Sequence, residues 1–193
     1  MRKQRKSRAR FHRRSSILSR GWQKLRFSWD VMDKGPLIFV FVIGLIFATF
    51  GYVMHSVFTR QAEMRNLTCL ALNVYFEARG EPLAGQYAVA EVTMNRVMSG
   101  RYPDSVCKVV HQKKWDTLRR RYVSAFSWTE LDERPSLEDT TFRQAWDVAE
   151  KVFYGRHAPS VAGALHYHAV YIRPSWARGN KPVARIGSHI FYR

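Results

Sequence analysis

The chain has 193 residues and a formal net charge of +17 at pH 7, with 46% hydrophobic residues and two cysteines. That length suffices for one domain plus extra segments, and no internal repeat is visible, which excludes a solenoid or array. Two cysteines are too few to be read as a disulfide framework from count alone.

The charge is unevenly spread. Residues 1–34 carry 12 Lys or Arg against Asp30 and Asp33, residues 35–58 carry no charged side chain, and residues 59–193 carry 20 Lys or Arg against 13 acids. The uncharged stretch includes Leu37-Ile38-Phe39-Val40-Phe41-Val42-Ile43-Gly44-Leu45-Ile46-Phe47-Ala48. A membrane-crossing helix needs about 20 mostly apolar residues, so residues 35–58 read as one transmembrane helix. A cleaved signal peptide is the rival. Its apolar core runs to about 7–15 residues, shorter than this one, and the basic segment ahead is too long for an ordinary leader. The positive charge then places residues 1–34 in the cytoplasm, with a single pass through the inner membrane and the rest of the chain beyond it.

The basic tail has two readings. It is a topology signal that also meets anionic lipid headgroups, or a nucleic-acid-binding arm in which Phe11, Trp22, Phe27 and Trp29 supply stacking. Adjacency to the span favours the first, with Trp29 as an interfacial anchor and no specific nucleic acid as partner.

Residues 59–65 read as a short polar linker and residues 66–193 as the outer domain. Asn66 or Thr68 is expected to cap a helix whose apolar positions Leu67, Leu70, Ala71 and Val74 lead to Glu77. Gly80 stops that helix, and Pro82 fits the first turn of a second one, Ala84 to about Val97. Ser99-Gly100 and Pro103 make a loop, and Asp104 caps a short helix from Ser105 to about Gln112. Residues 113–135 read as irregular and rich in Arg, Trp, Phe and Ser, which suits a groove wall. Ser136 with Asp139 starts a helix that runs to Tyr154. Its core side is Phe142, Ala145, Trp146, Ala149, Val152 and Phe153, and Gly155 ends it. Residues 163–172 and 184–192 read as short strands, with Pro174 breaking between them.

Glu77 stands out chemically. It lies on the apolar face near a helix C-terminus, where burial and the negative end of the helix dipole both raise a carboxyl pKa. A carboxyl still protonated near neutral pH is what glycosidic cleavage requires, because it gives a proton to the leaving oxygen. Glu81 is the rival acid, but it precedes Pro82 at a cap position where a carboxylate suits the dipole.

The run from Cys69 through Tyr75-Phe76-Glu77-Ala78-Arg79-Gly80-Glu81-Pro82 to Gln86 continues into Ala88-Val89-Ala90-Glu91-Val92 and Asn95-Arg96-Val97. Further blocks are Tyr102-Pro103-Asp104-Ser105-Val106-Cys107, Phe126-Ser127-Trp128, His166-Tyr167-His168-Ala169 and Arg185-Ile186-Gly187-Ser188-His189-Ile190-Phe191-Tyr192. Together they resemble the cell wall hydrolase family, whose best-known members are the spore cortex-lytic enzymes. The resemblance covers roughly residues 66–193. It implies an α+β, lysozyme-like, mainly helical domain with a small β element that cleaves peptidoglycan glycan strands, with Glu77 as catalytic acid. It further implies a lytic transglycosylase scheme, in which one Glu acts first as acid and then as base. A hydrolytic muramidase outcome stays open, as does a non-catalytic wall-binding module.

Such a glycosidase normally has a second carboxylate. Glu91, Asp104, Asp116, Glu130 and Asp132 are available, none in a telling context. Gln86 is expected to support the Glu77 pocket, and Ser127, beside Phe126, to bond the substrate N-acetyl group. Tyr167 and Trp176, with Tyr192, are expected to stack on sugar rings or to pack in the core. His166 and His168 share one strand face; with His189 they invite a zinc hypothesis that no ligand spacing supports, so a hydrogen-bonding role in the groove or core is expected instead, with His166 and His168 as substrate-binding candidates and no metal or cofactor. Cys69 and Cys107 either pair, as thiols beyond the cytoplasm do, or are buried free thiols. The resemblance favours pairing.

Overall fold

A computed structural model describes residues 33–117, 119–131 and 133–193. The expectations for the basic tail before residue 33, and the carboxylate Asp132, lie outside the described residues. The chain divides into two units, Met1–Ser56 and Val57–Arg193.

Helix α1 spans Gly35–Ala78. It opens where Asp33 Oδ1 accepts the Gly35 amide at 3.0 Å, with Pro36 in the first turn, where its missing N–H costs nothing. In the first unit its large apolar side chains are exposed all round, Phe41 at 72% and Phe47 at 71%. The hydroxyls in this stretch turn back on the helix: Thr49 Oγ1 donates to the Leu45 and Ile46 carbonyls and Ser56 Oγ to the Val53 carbonyl. Residues 35–58 would rise about 36 Å as a helix, more than the ~30 Å of a bilayer's hydrocarbon core. The helix is thus long and apolar enough to cross a membrane.

In the second unit, α1 runs unbroken through residues 59–65, so Asn66 and Thr68 do not cap a new helix. No Gly or Pro occurs between Tyr52 and Arg79, so nothing stops propagation. Asn66 Oδ1 instead accepts the Cys107 amide at 3.1 Å, and Thr68 Oγ1 donates to the Met64 carbonyl. Helix α2 spans Leu83–Met98 with Pro82 at its N-cap. It is buried on nearly every side between Gly85 and Thr93, so its small residues permit close approach on two faces. Helix α3 (Val106–Val110) has Ser105, not Asp104, at its N-cap; Asp104 is drawn away to Lys108 Nζ at 2.8 Å. Helix α4 spans Thr140–Phe153, capped by Asp139, which accepts the Thr141 amide. Gly155 ends it in a left-handed conformation, φ 67°.

Residues 113–135 are not irregular throughout. Strands β1 (Lys113–Asp116) and β2 (Arg121–Ser124) form an antiparallel hairpin, followed by a 3-10 turn at Ser127–Glu130. The hairpin is mostly exposed, so it lacks the apolar alternation by which a strand is recognised. A second sheet has the order β3 (His166–Ala169), β5 (His189–Tyr192), β4 (Ala184–Ile186), all antiparallel. The stretch 184–192 is therefore two strands, folded at Gly187 with φ 55°.

One core joins Leu70 and Val74 of α1 to Ala90 of α2, Val110 of α3 and Phe142 and Ala149 of α4. Val148 of α4, absent from the sequence-derived core side, is also buried there. A second, smaller core sets Ala88 and Val92 of α2 against Phe191, Val161 and Ala164. Tyr167 packs against both. Cys69 and Cys107 form a disulfide, Cα–Cα 5.2 Å, that ties α1 to α3.

Candidate active site

Glu77 ends α1 half-buried. Its Oε2 accepts a hydrogen bond from the Tyr167 hydroxyl at 3.1 Å. Burial raises the Glu77 carboxyl above its ordinary pKa; the Tyr167 hydrogen bond and the Arg96 charge act in the opposite direction and lose. The same pairing lifts Tyr167 well above the ordinary tyrosine range, first by burial and then through the Glu77 charge. The site therefore holds a protonatable carboxyl beside a neutral hydroxyl donor.

The position of Tyr167 follows from the end of α2. Asn95 Nδ2 donates to the Ala164 carbonyl at 3.1 Å and Arg96 Nε to the Leu165 carbonyl at 2.8 Å. These two bonds pin the chain just ahead of β3, and strand alternation then aims Tyr167 at Glu77. The Arg96 guanidinium lies over the rings of Tyr102 (5.3 Å) and Phe126 (5.5 Å). Read from the sequence, Asn95 and Arg96 only close a helix. Their presence in a resemblance block was the one signal that they do more.

Glu81 has a different environment. Its carboxylate accepts the Ser188 amide at 2.8 Å and, by a very short contact, the Ser188 hydroxyl. His189 Nδ1 lies 3.7 Å away. Burial acts upward and is the largest single influence on Glu81, but the Ser188 bonds and His189 together hold the carboxyl below its ordinary range. Glu81 is thus held toward its carboxylate form and braces the β4–β5 turn. Gly187 is required there: a Cβ would drive into Glu81 Oε2 from a left-handed backbone.

The other expected residues fall in several places. Gln86 is 3% exposed and donates to the Glu81 carbonyl, so it braces the α1–α2 turn. Phe126 is buried under Arg96, and Ser127 is exposed at the start of the 3-10 turn. Register divides the sheet residues. Tyr167, paired with Phe191, and Ala169, paired with His189, face the helices. His166, paired with Tyr192, and His168, paired with Ile190, face the other way. Trp176 packs against this second set, 5.5 Å from His166 and 5.6 Å from His168. His189 therefore does not converge with His166 and His168 on a metal. Burial, with the charges of Arg96, Lys114 and Arg101, depresses His166 below the ordinary histidine range.

Among the available carboxylates, Glu91 is buried and accepts from the Ser160 and Val161 amides and the Ser160 hydroxyl. All its capacity is structural. Asp104 pairs with Lys108, Glu130 accepts the Ser124 amide, and Asp116 pairs with Arg119 at 3.7 Å.

The Cell Wall Hydrolase family profile matches residues 80–192. The spore cortex-lytic enzyme of Bacillus subtilis is 29% identical over 133 residues, 65% of this chain and 37% of that protein. The spore cortex-lytic enzyme of Halalkalibacterium halodurans is 30% identical over 126 residues, 65% of this chain and 34% of that protein. The chain thus spans little more than a third of these relatives' lengths. Among solved structures, the catalytic domain of the germination-specific lytic transglycosylase SleB from Bacillus anthracis superposes with a TM-score of 0.50 at 26% identity, over 66% of this chain and 93% of that one. With the profile covering more than half of its residues, the chain belongs to the cell wall hydrolase family.

Proposed function

We propose that this chain is a membrane-anchored enzyme that cleaves peptidoglycan glycan strands in a lysozyme-like domain, acting between N-acetylmuramic acid and N-acetylglucosamine. The observation that carries this is Glu77: a carboxyl with raised pKa, half-buried, hydrogen-bonded by Tyr167 and flanked by Arg96. It lies three residues ahead of the segment matched by the family profile, so its role rests on this geometry and on the block in which it sits. Protonated Glu77 gives its proton to the glycosidic oxygen. Tyr167 and Arg96 then stabilise the carboxylate that remains.

We favour the lytic transglycosylase outcome. The substrate's own N-acetyl group stabilises the cationic sugar centre, and Glu77, now a base, takes the proton of the 6-hydroxyl as the 1,6-anhydro ring closes. Glu91, Asp104 and Glu130 are each engaged elsewhere, which favours a one-carboxylate scheme over a hydrolytic pair. Ser127 bonds the N-acetyl group in this scheme, a role its exposure beside Phe126 supports. Residues 35–58 anchor the chain in the cytoplasmic membrane, with residues 1–34 on the cytoplasmic side, 59–65 as the connection and 66–193 acting on the wall.

The test uses the full chain in detergent with purified peptidoglycan, beside Glu77→Gln, with soluble products identified by mass spectrometry. Anhydromuramyl fragments should appear and fall at least ~100-fold in the variant. Reducing ends instead would mean a muramidase. No release by a folded wild-type chain would reject the enzymatic reading in favour of a wall-binding module.

A further inference from the structure

The β3–β5–β4 sheet has two unlike faces. The face bearing Tyr167 and Phe191 is covered by α2. The other carries a cross-sheet row of His168, Ile190 and Arg185, beside His166 paired with Tyr192. Trp176 lies over it, 43% exposed, edge-on to Tyr192 at 5.5 Å. Its position is fixed because Asn180 Nδ2 donates to the Trp176 carbonyl at 2.7 Å. Two concavities open here. One, about 350 Å³, is lined by Lys114, His166, Trp176, Asn180, Tyr192 and Arg193. The other, about 380 Å³, shares Tyr192 and adds His168, Arg173, Arg178 and Arg185.

The charge of these concavities is one-sided. Their lining contains no Asp or Glu. Among the described residues, Lys114, Arg173, Arg178, Arg185 and Arg193 enter no ion pair. Unneutralised cations around a concave aromatic floor attract an anion that also presents a flat, partly apolar ring. A sugar ring with pendant carboxylates has that chemistry.

We infer that this outer sheet face is a second polysaccharide-binding surface, separate from the face that presents Tyr167 to Glu77, and that it takes a glycan strand bearing carboxylate-terminated stem peptides. Trp176 receives a sugar ring above the buried Tyr192, His166 and Asn180 offer hydrogen bonds, and the arginines meet the carboxylates. This rests on the wall polymer being the substrate. A membrane surface is the competing partner for a Trp–Arg patch, but the site is concave, whereas a bilayer meets a convex or flat one.

The test is sedimentation of the full chain, in detergent and carrying Glu77→Gln to prevent digestion, with purified sacculi at two salt concentrations. Trp176→Ala, and separately Arg178→Gln with Arg185→Gln, should each weaken binding about ten-fold, the arginine pair more strongly at low salt. The arginines are exposed, so that variant should keep its unfolding temperature and decides the matter if Trp176→Ala does not fold. Unchanged sedimentation by both variants would overturn the inference. So would Trp176- and arginine-dependent binding to anionic phospholipid vesicles with none to sacculi. Product release by the wild-type chain is scored in parallel. Its absence would reject the enzymatic reading alone, while loss of sedimentation in the variants would still uphold the surface.

Discussion

At the scale of single residues, Glu77 is set by opposing influences of which burial is the strongest. Its folded-state pKa lies above the unfolded value of about 4.3, so the native protein holds this proton more tightly. The stability that results is complete below the unfolded pKa and is lost as pH rises through the folded one. Glu77→Gln removes this dependence. The variant should therefore gain in unfolding temperature relative to wild type as pH is raised from 4 to 8. Thermal melts at both pH values check it, and a difference that stays constant with pH would reject the buried-acid account. Tyr167→Phe removes a bond that favours the carboxylate, so the Glu77 pKa should rise further. The alkaline limb of the pH profile of kcat/KM should move to higher pH, with a stability loss of about 1 kcal/mol. A limb that does not move would mean that Tyr167 only packs. Glu77 was legible in the sequence because helical spacing puts it on an apolar face. Tyr167 is legible as a site candidate but as a stacking ring; its bond to Glu77, and the role of Arg96, are not, because they depend on contacts across 90 and 69 positions of chain.

At the scale of elements, the helices are joined by a buried polar relay as well as by apolar packing. Asn73 is fully buried; its Nδ2 donates to Thr93 Oγ1 at 3.1 Å, and its Oδ1 accepts from Trp128 Nε1 at 3.0 Å. This links α1, α2 and the 3-10 turn that carries Ser127. Asn73→Ala would leave Trp128 Nε1 without its partner, while Thr93 keeps its bond to the Val89 carbonyl, and should cost about 1–3 kcal/mol by denaturant unfolding; a loss under 1 kcal/mol would show that the site refills. The disulfide closes a separation of 38 residues, and replacing both cysteines by Ser should cost on the order of 2–4 kcal/mol. The existence of the helices follows from apolar period, but their starts do not follow from the expected caps: Asn66 and Thr68 lie inside α1 and Ser105, not Asp104, heads α3. The β1–β2 hairpin is not legible in the sequence because most of its residues are wet and carry no period, nor is the turn at Gly187, because apolar residues flank it on both sides.

At the scale of the whole molecule, the chain joins an uncharged apolar helix segment to a basic unit of helices and antiparallel sheets. If residues 35–58 anchor it, the chain should stay with membranes through an alkaline carbonate wash, and deleting those residues should release it to the soluble fraction. Recovery of the intact chain in the wash would refute anchoring. The sequence by itself determined what depends on local order: the span-length apolar run, the apolar face leading to Glu77, the Pro82 start, the helix that runs to Gly155 and the blocks that mark the family. The tertiary structure alone decided what depends on distant segments meeting. It gave Glu77 and Glu81 unlike environments, the one raising its carboxyl pKa and the other lowering it. It sent Tyr167 to one face of the sheet and His166, His168 and Trp176 to the other. Strand alternation is local, but which face meets the helices is set by register with β5, and pKa is set by burial, which no local pattern encodes.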